Sequence, residues 1–317
     1  PSSAASVVYK RQAKNLGAKV SVISKVGYDF PKEYYEWLIR EGIDLSMLKI
    51  VKDALTTSYM LIYDHNGERR LILKARAPPI KPDDIPESLS ASVIHVSPIA
   101  HEVSCDVMKR LRRHADILSL DPQGFLRRFG EDGQTCLGRL DEPEILSKVD
   151  IFKASEREVE AATGESEMLR AIRRVHALGV SIVIVTRGER STLLSLDGKI
   201  YQIPIFKSRV VDTTGAGDVF IGAFLAEYLK GDDPVWCSCV GSASASYVIE
   251  EVGPGGTFLG HPHTRKWFKK EQYYPSVFDR YQYDVWVRRG RKDAIQRARE
   301  KVEEILRSHW PEPLDPD

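Results

Sequence analysis

The chain has little of what would mark a specialised class. Cysteine occurs four times in 317 residues (Cys105, Cys136, Cys237 and Cys239), with no C-x-x-C pair and no metal-ligand spacing. That excludes a disulfide scaffold and a zinc ribbon, and it fits the reduced thiols of a cytoplasmic protein. No stretch approaches 18 uninterrupted apolar residues, so a membrane span is not expected. Pro1 to Val8 lack the basic-then-apolar build of a secretory signal. An excess of either charge is missing too: 46 Lys and Arg stand against 45 Asp and Glu, a net charge of +1. This balance excludes a globally basic nucleic-acid binder and an acidic disordered chain. Internal repeats and low-complexity tracts are absent. What remains is the 42% hydrophobic, 29% charged composition of an ordinary globular protein. Its length suits one large α/β sheet or two units.

Apolar patterning then gives the elements. Ser6 to Leu16, stopped by Gly17, predicts a helix, and Lys19 to Val26 a strand. Pro31 to Arg40, with proline at its start and Gly42 beyond its end, predicts a second helix. Thr56 to Asp64 and Arg69 to Arg76 flank His65-Asn66-Gly67-Glu68, and Asn-Gly between two apolar runs predicts a β-hairpin. Strands are expected at Val93 to Val96, Ile117 to Leu120, Ile151 to Lys153 and Ile182 to Thr186. Helices are expected at Val107 to His114 and Leu169 to Leu178. Such alternation predicts a parallel sheet covered by helices on both faces. Ligands of such sheets bind beyond the carboxyl ends of the strands. This directs attention to Ser97 and Pro98, Asp121 to Gln123, Ser155 to Glu158, and Thr186 to Gly188.

The tail from His261 has a different texture, with Trp267, Phe268, Tyr273, Tyr274, Tyr281, Tyr283 and Trp286 in a loop-like stretch. A last helix is expected from Ala294, with Asp293 as N-cap and Ile295, Ala298, Val302, Ile305 and Leu306 as its apolar stripe. Arg288, Arg289, Arg291 and Lys292 read as a solvated charge run in preference to a nucleic-acid contact. The aromatic residues read as packing, onto the main body or a second subunit.

The string Val210-Val211-Asp212-Thr213-Thr214-Gly215-Ala216-Gly217-Asp218 carries the chemistry. Apolar residues at helical spacing follow it, so Gly215, Ala216 and Gly217 form the turn into a helix N-terminus. Unpaired N–H groups and the helix dipole there attract anions, and small residues let a phosphate approach the backbone. A carboxylate at Asp218 is badly placed to bind phosphate but well placed to take a proton from a hydroxyl attacking phosphorus. A structural glycine cap is the competing reading of a Gly-x-Gly turn taken alone.

The whole string resembles the second signature of the ribokinase-like (PfkB) carbohydrate kinases, and other segments follow in that family's order. Ser155 to Gly164 looks like its Asn-x-x-Glu segment and Thr-Gly, with Ser155 where asparagine is usual. Thr186-Arg187-Gly188 resembles its Thr-x-Gly strand end, and Val26-Gly27-Tyr28-Asp29 its early Val-Gly-x-Asp turn. Leu120 to Arg127 resembles a string of archaeal-looking members, including inositol-type kinases. The resemblance implies a three-layer α/β/α fold with a mostly parallel central sheet and a small β lid. It implies a kinase domain at 1–42 and 78–260, a lid at 43–77, and a C-terminal extension at 261–317 with no clear counterpart in the family.

For function it implies phosphoryl transfer from ATP to a hydroxyl of a sugar or sugar-like polyol, with Mg2+ bridging the phosphates. Asp218 would be the general base, and Gly215, Ala216 and Gly217 the anion site. Thr186, Gly188, Thr214, Ser246 and Gly253 would face the nucleotide. Glu158 and Asp212 would assist the metal. Asp121, Gln123, Arg127 and the lid residue Tyr59 would face the acceptor. Small residues from Gly241 to Ser246 fit either an adenine site or close helix packing. A nucleoside acceptor, ADP as donor, and a non-catalytic nucleotide binder stay open as alternatives. A homodimer through the lid is implied as well. The family's opening strand, its aspartate and its Gly-Gly turn have no counterpart among Ser2, Ser3, Ala4 and Ala5, so an exposed sheet edge is expected.

Overall fold

The computed structural model describes residues 13–14, 16–63, 69–205, 215–251 and 303. The chain divides into two units, Pro1–Leu259 and Gly260–Asp317. Of the second, only Glu303, in a helix, is described. The expected aromatic tail and its helix therefore lie outside the described residues, as does nearly all of the helix expected at 6–16.

In the first unit the central sheet has six strands. They are β5 (Ala91–Val96), β6 (Ala115–Leu120), β9 (Ile151–Ser155), β10 (Ile182–Thr186), β11 (Thr192–Leu196) and β12 (Lys199–Ile203), in the order β12-β11-β10-β9-β6-β5. The pairs from β5 to β10 are parallel, while β11 and β12 return antiparallel as a closing hairpin. β5 and β12 are the edge strands of this sheet among the described residues. Residues of β9 and β10 alternate between two cores. Phe152, Ala154, Val183 and Val185 face one, and Ile151, Ile182 and Ile184 face the other. Strands buried on both faces need continuous apolar sequence, and the buried residues of IFKAS and IVIVT supply it with one exception, Lys153.

Helices cover both faces. α2 (Cys105–Arg112), α4 (Glu156–Thr163) and α5 (Met168–Ala177) contribute to the first core. α6 (Ala216–Tyr228) and α7 (Pro234–Glu251) contribute to the second. Every residue of α6 from Val219 to Glu227 is buried. A helix apolar all round must be covered all round, and α6 packs against α7 and the second core of the sheet.

A smaller sheet pairs β1 (Ser24–Gly27) in parallel with β2 (Leu48–Val51), joined through α1 (Lys32–Arg40). The strand expected at 19–26 is thus corrected: only a bridge at Ser21 to Asp44 precedes Ser24. The hairpin is present as β3 (Ser58–Tyr63) and β4 (Arg69–Ala75). Residues 43–51, assigned with the lid from sequence, carry β2, and Ile43 and Leu45 pack with Val22 and Leu38. The lid is fixed at its base. Asp29 accepts from the Thr56 N–H at 2.6 Å, and Thr56 Oγ1 accepts from the Gly27 N–H at 3.0 Å.

A short hairpin not expected from sequence, β7 (Arg127–Phe129) with β8 (Thr135–Leu137), follows the one-turn helix α3 (Gln123–Leu126). Its turn pairs with the lid, the Leu73 N–H donating to the Gly133 carbonyl at 2.8 Å.

Candidate active site

Four elements converge at the carboxyl ends of β6 and β9. The register Leu120 to Phe152 sets Asp121, just past β6, level with Lys153 in β9. Alternation turns both side chains away from the first core and toward α6. Lys153 Nζ lies 2.7 Å from Asp121 Oδ2, and the two side chains are only 6% and 1% exposed. Burial pulls the Lys153 ammonium toward deprotonation. The carboxylates of Asp121, Glu158 and Asp218 outweigh this and hold its pKa above the ordinary lysine value.

Gly215 is left-handed (φ +82°) and caps α6, so the chain turns sharply into the first helical turn that holds Asp218. A Cβ on Gly217 would sit 2.7 Å from Lys153 Nζ. Glycine at 217 therefore makes room for an ammonium against the helix backbone. Lys153 was missed from sequence, although a lysine inside an otherwise apolar strand was the available signal. Asp212, Thr214 and Gly253 lie outside the described residues.

Ser155 and Glu158 form a capping box. Glu158 Oε2 accepts from the Ser155 N–H and hydroxyl, each at 2.7 Å, and Ser155 Oγ accepts from the Glu158 N–H at 3.4 Å. The S-x-x-E pattern is a helix-start signal in its own right. Both of these bonds to the Glu158 carboxylate use Oε2. Among the described residues no group of three or more His, Cys, Asp or Glu could hold a metal. The single carboxylate present there among the described residues, Glu158, fits a contact to Mg2+ carried by phosphates and reached through its waters.

On the expected nucleotide side, Thr186 ends β10 level with Ser155, and its hydroxyl donates to the Ala154 carbonyl at 3.5 Å. Gly188 follows in a turn with φ +60°. Ser246 is buried on α7 together with Ser242 and Ser244. Ser242 donates to the Pro204 carbonyl at 2.8 Å, and a Cβ on Gly241 would meet the Phe220 carbonyl oxygen at 2.9 Å. Gly241 and Ser242 thus serve the packing of α7 against α6 and the end of β12.

On the expected acceptor side, Gln123, Arg127 and Tyr59 form one cluster, while Asp121 goes with Lys153. Arg127 donates to the Ile99 carbonyl at 2.9 Å and to Gln123 Oε1. Its guanidinium lies 5.1 Å from the Tyr59 ring centroid. Tyr59, 6% exposed, donates its hydroxyl to the same Ile99 carbonyl. Burial pushes its phenol pKa up. Glu102 fixes the receiving loop by accepting from the Ile99 and Ala100 N–H groups at 2.8 and 2.6 Å. The lid strand β3 is thereby tied to the loop after β5. All four cysteines are free.

A helix N-terminus with a carboxylate in its first turn, beside the carboxyl ends of parallel strands, is an arrangement suited to phosphoryl transfer. Comparison agrees. The pfkB family carbohydrate kinase model matches residues 10–258. A cytidine kinase of Thermococcus kodakarensis is 31% identical over 244 residues, covering 75% of this chain and 84% of that protein. The chain belongs to the pfkB family of carbohydrate kinases, and it is a phosphotransferase of the carbohydrate and nucleoside kinase type.

Among solved structures, a pyrophosphate-dependent myo-inositol-1 kinase converted into a myo-inositol-3 kinase superposes with TM-score 0.71 at 23% identity, covering 85% of this chain and 91% of that one. An Escherichia coli protein described as a candidate ribokinase II, in complex with ATP and Mg2+, gives TM-score 0.65 at 24% identity, covering 80% and 83%. Both share the ribokinase-like three-layer fold. A second family model, trimethylamine methyltransferase, matches residues 224–317 and overlaps the first. The tail thus has a sequence counterpart outside the kinase family.

Proposed function

We propose that this chain transfers the γ-phosphoryl group of ATP to a hydroxyl of a small sugar-containing acceptor, with Asp218 taking the proton. The supporting observation is the position of Asp218 in the first turn of α6, three residues after the left-handed Gly215 and within the electrostatic reach of Lys153. The acceptor oxygen attacks the γ-phosphorus, the bond from phosphorus to the β–γ bridging oxygen breaks, and ADP leaves with that electron pair. The hydroxyl proton passes to Asp218. The Gly215 to Gly217 amides hold the charge that spreads over the transferring group. Mg2+, when bound with the nucleotide, neutralises phosphate charge, and Glu158 and Asp212 are the residues that would touch its waters. Thr186, Gly188, Thr214, Ser246 and Gly253 remain the proposed nucleotide contacts.

A nucleoside acceptor is favoured over a free sugar or polyol by the cytidine kinase similarity, which extends over 84% of that protein. Asp121 and Gln123 stand at the strand end where acceptor hydroxyls would lie, with Arg127 and Tyr59 joining the hairpin to the loop after β5. The outer face of β3 exposes Met60 and Ile62 at 39% and 40%, apolar surface suited to a second copy. A turnover screen with Mg·ATP against nucleosides, sugars and polyols tests the reading. Phosphorylation of nucleosides with Asp218→Asn inactive is the expected result. Turnover confined to sugars or polyols overturns the acceptor assignment, and no turnover with any acceptor overturns the kinase reading of this chain.

A further inference from the structure

Two arginines and a histidine meet at one corner of the molecule where no carboxylate is left for them. Arg127, half-buried at the start of β7, donates to the Ile99 carbonyl and to Gln123 Oε1, and its guanidinium lies over the Tyr59 ring. Every one of these partners is uncharged. Arg76, just past β4, donates to the His101 carbonyl at 3.1 Å. His101 Nε2–H donates in turn to the Arg127 carbonyl, and the ring stands edge-on to Phe129 with centroids 5.5 Å apart. Both guanidiniums act on the same Tyr59 hydroxyl. The acid beside them is Glu102, whose two oxygens are taken by the Ile99 and Ala100 N–H groups. Among the described residues neither arginine forms an ion pair with a carboxylate. A guanidinium drawn partly out of water without a counter-charge is costly. Two of the five N–H donors of Arg127 are engaged, which leaves three. His101 also holds a left-handed backbone, φ +58°. Strain of this kind in a residue with a side chain clusters at ligand clamps.

Resting on the phosphoryl-transfer reading above, we propose that the acceptor carries an anionic group, a phosphate ester or a carboxylate, and that Arg127 and Arg76 bind it. A planar fork of donors suits either oxyanion. The corner connects to the reacting end through side chains. Asp121 accepts from Lys153 at one oxygen and from the Gln123 N–H at the other, and Gln123 reaches Arg127. An acceptor whose hydroxyl meets Asp218 thus lies along this line, with its anionic end at the arginines. The anionic group takes no part in bond-making. His101 is a positioning residue, holding the Arg127 backbone from one side and the Arg76 side chain from the other.

The test compares kcat/KM with Mg·ATP for neutral sugars and nucleosides against their phosphate esters and their carboxylates. Wild type is expected to prefer an anionic acceptor over its neutral parent by roughly tenfold or more, and the better of the two anions identifies the group. Arg127→Gln is expected to lose about 10- to 100-fold with the anionic acceptor and to leave the neutral parent essentially unchanged. Arg76→Gln, on an exposed side chain, is expected to shift the same ratio in the same direction, and it decides the matter if Arg127→Gln does not melt cooperatively. Preference for the neutral parent, or an equal loss with both acceptors, overturns the proposal and makes the arginines struts of the fold. A loss of the Tm rise given by Mg·ATP alone assigns them to the donor and overturns it too. No turnover with any acceptor overturns the phosphoryl-transfer reading itself. The anion site then stands if a phosphate ester or carboxylate raises Tm without nucleotide and Arg127→Gln abolishes the rise, and falls if it does not.

Discussion

The turn at Gly215 into a helix whose first turn carries Asp218 was legible because it lies in one contiguous string and needs no tertiary information. Lys153 was not, because its meaning depends on the register that sets β9 beside the end of β6. The close approach to Lys153 gives Gly217 a second reason to be glycine besides access for phosphate. Gly217→Ala places a methyl group 2.7 Å from the ammonium and must displace one or the other. Misplacement of a reacting group by about 1 Å costs up to ~10²-fold in rate. Gly217→Ala is therefore expected to lower kcat by about ten- to a hundredfold while the chain still melts cooperatively, as steady-state kinetics beside a thermal melt would show. Unchanged kcat would mean that Lys153 shifts freely and that its placement is incidental.

The longer elements followed from periodicity and from glycine and proline punctuation: the parallel strands, α1, α5 and the Asn-Gly hairpin. Three-residue strands such as β7 and β8 carry too few residues for a pattern, so the strut beneath the lid was invisible until the fold paired Leu73 with Gly133. The Val-Gly-x-Asp turn proved to be the lid's mounting. A Cβ on Gly27 would fall 2.3 Å from Ala54, Leu55 and Thr56 backbone atoms, and backbone does not yield as a side-chain tip does. Gly27→Ala is expected to cost at least about 1–3 kcal/mol, with a Tm lower by roughly 2–4 °C per kcal/mol. A melt indistinguishable from wild type would show that the lid base is loosely held. Tyr59→Phe removes one bond to the Ile99 carbonyl, which Arg127 still satisfies. Its expected stability cost is only about 0.5–1.5 kcal/mol. With the lid less firmly tied, ATP hydrolysis in the absence of acceptor should rise. Equal hydrolysis in both proteins would separate Tyr59 from lid closure.

Over the whole first unit, Asp84 joins the small sheet to the segment leading into β5. It pairs with Lys25 of β1 at 2.5 Å and Lys49 of β2 at 2.7 Å, and it accepts from the Lys81 N–H at 2.7 Å. Partial burial pushes its pKa up, but the two lysines and the Lys81 amide outweigh this and hold it far below the usual 3.8. A carboxylate with a depressed folded-state pKa contributes stability that is complete above its unfolded value and is lost as pH falls through the folded one. Lys25→Met raises the folded value, so acid unfolding followed by circular dichroism is expected to move to higher pH. An unmoved midpoint would show that the link carries no weight.

The α/β class, with its mostly parallel sheet, was readable at this scale. The central claim is that Asp218 is the base of a phosphoryl transfer. Its most direct test compares turnover with Mg·ATP and the preferred acceptor in wild type and Asp218→Asn, alongside nucleotide affinity. A fall of about 10²- to 10⁴-fold in kcat with affinity essentially unchanged is predicted. Full turnover in Asp218→Asn would contradict it.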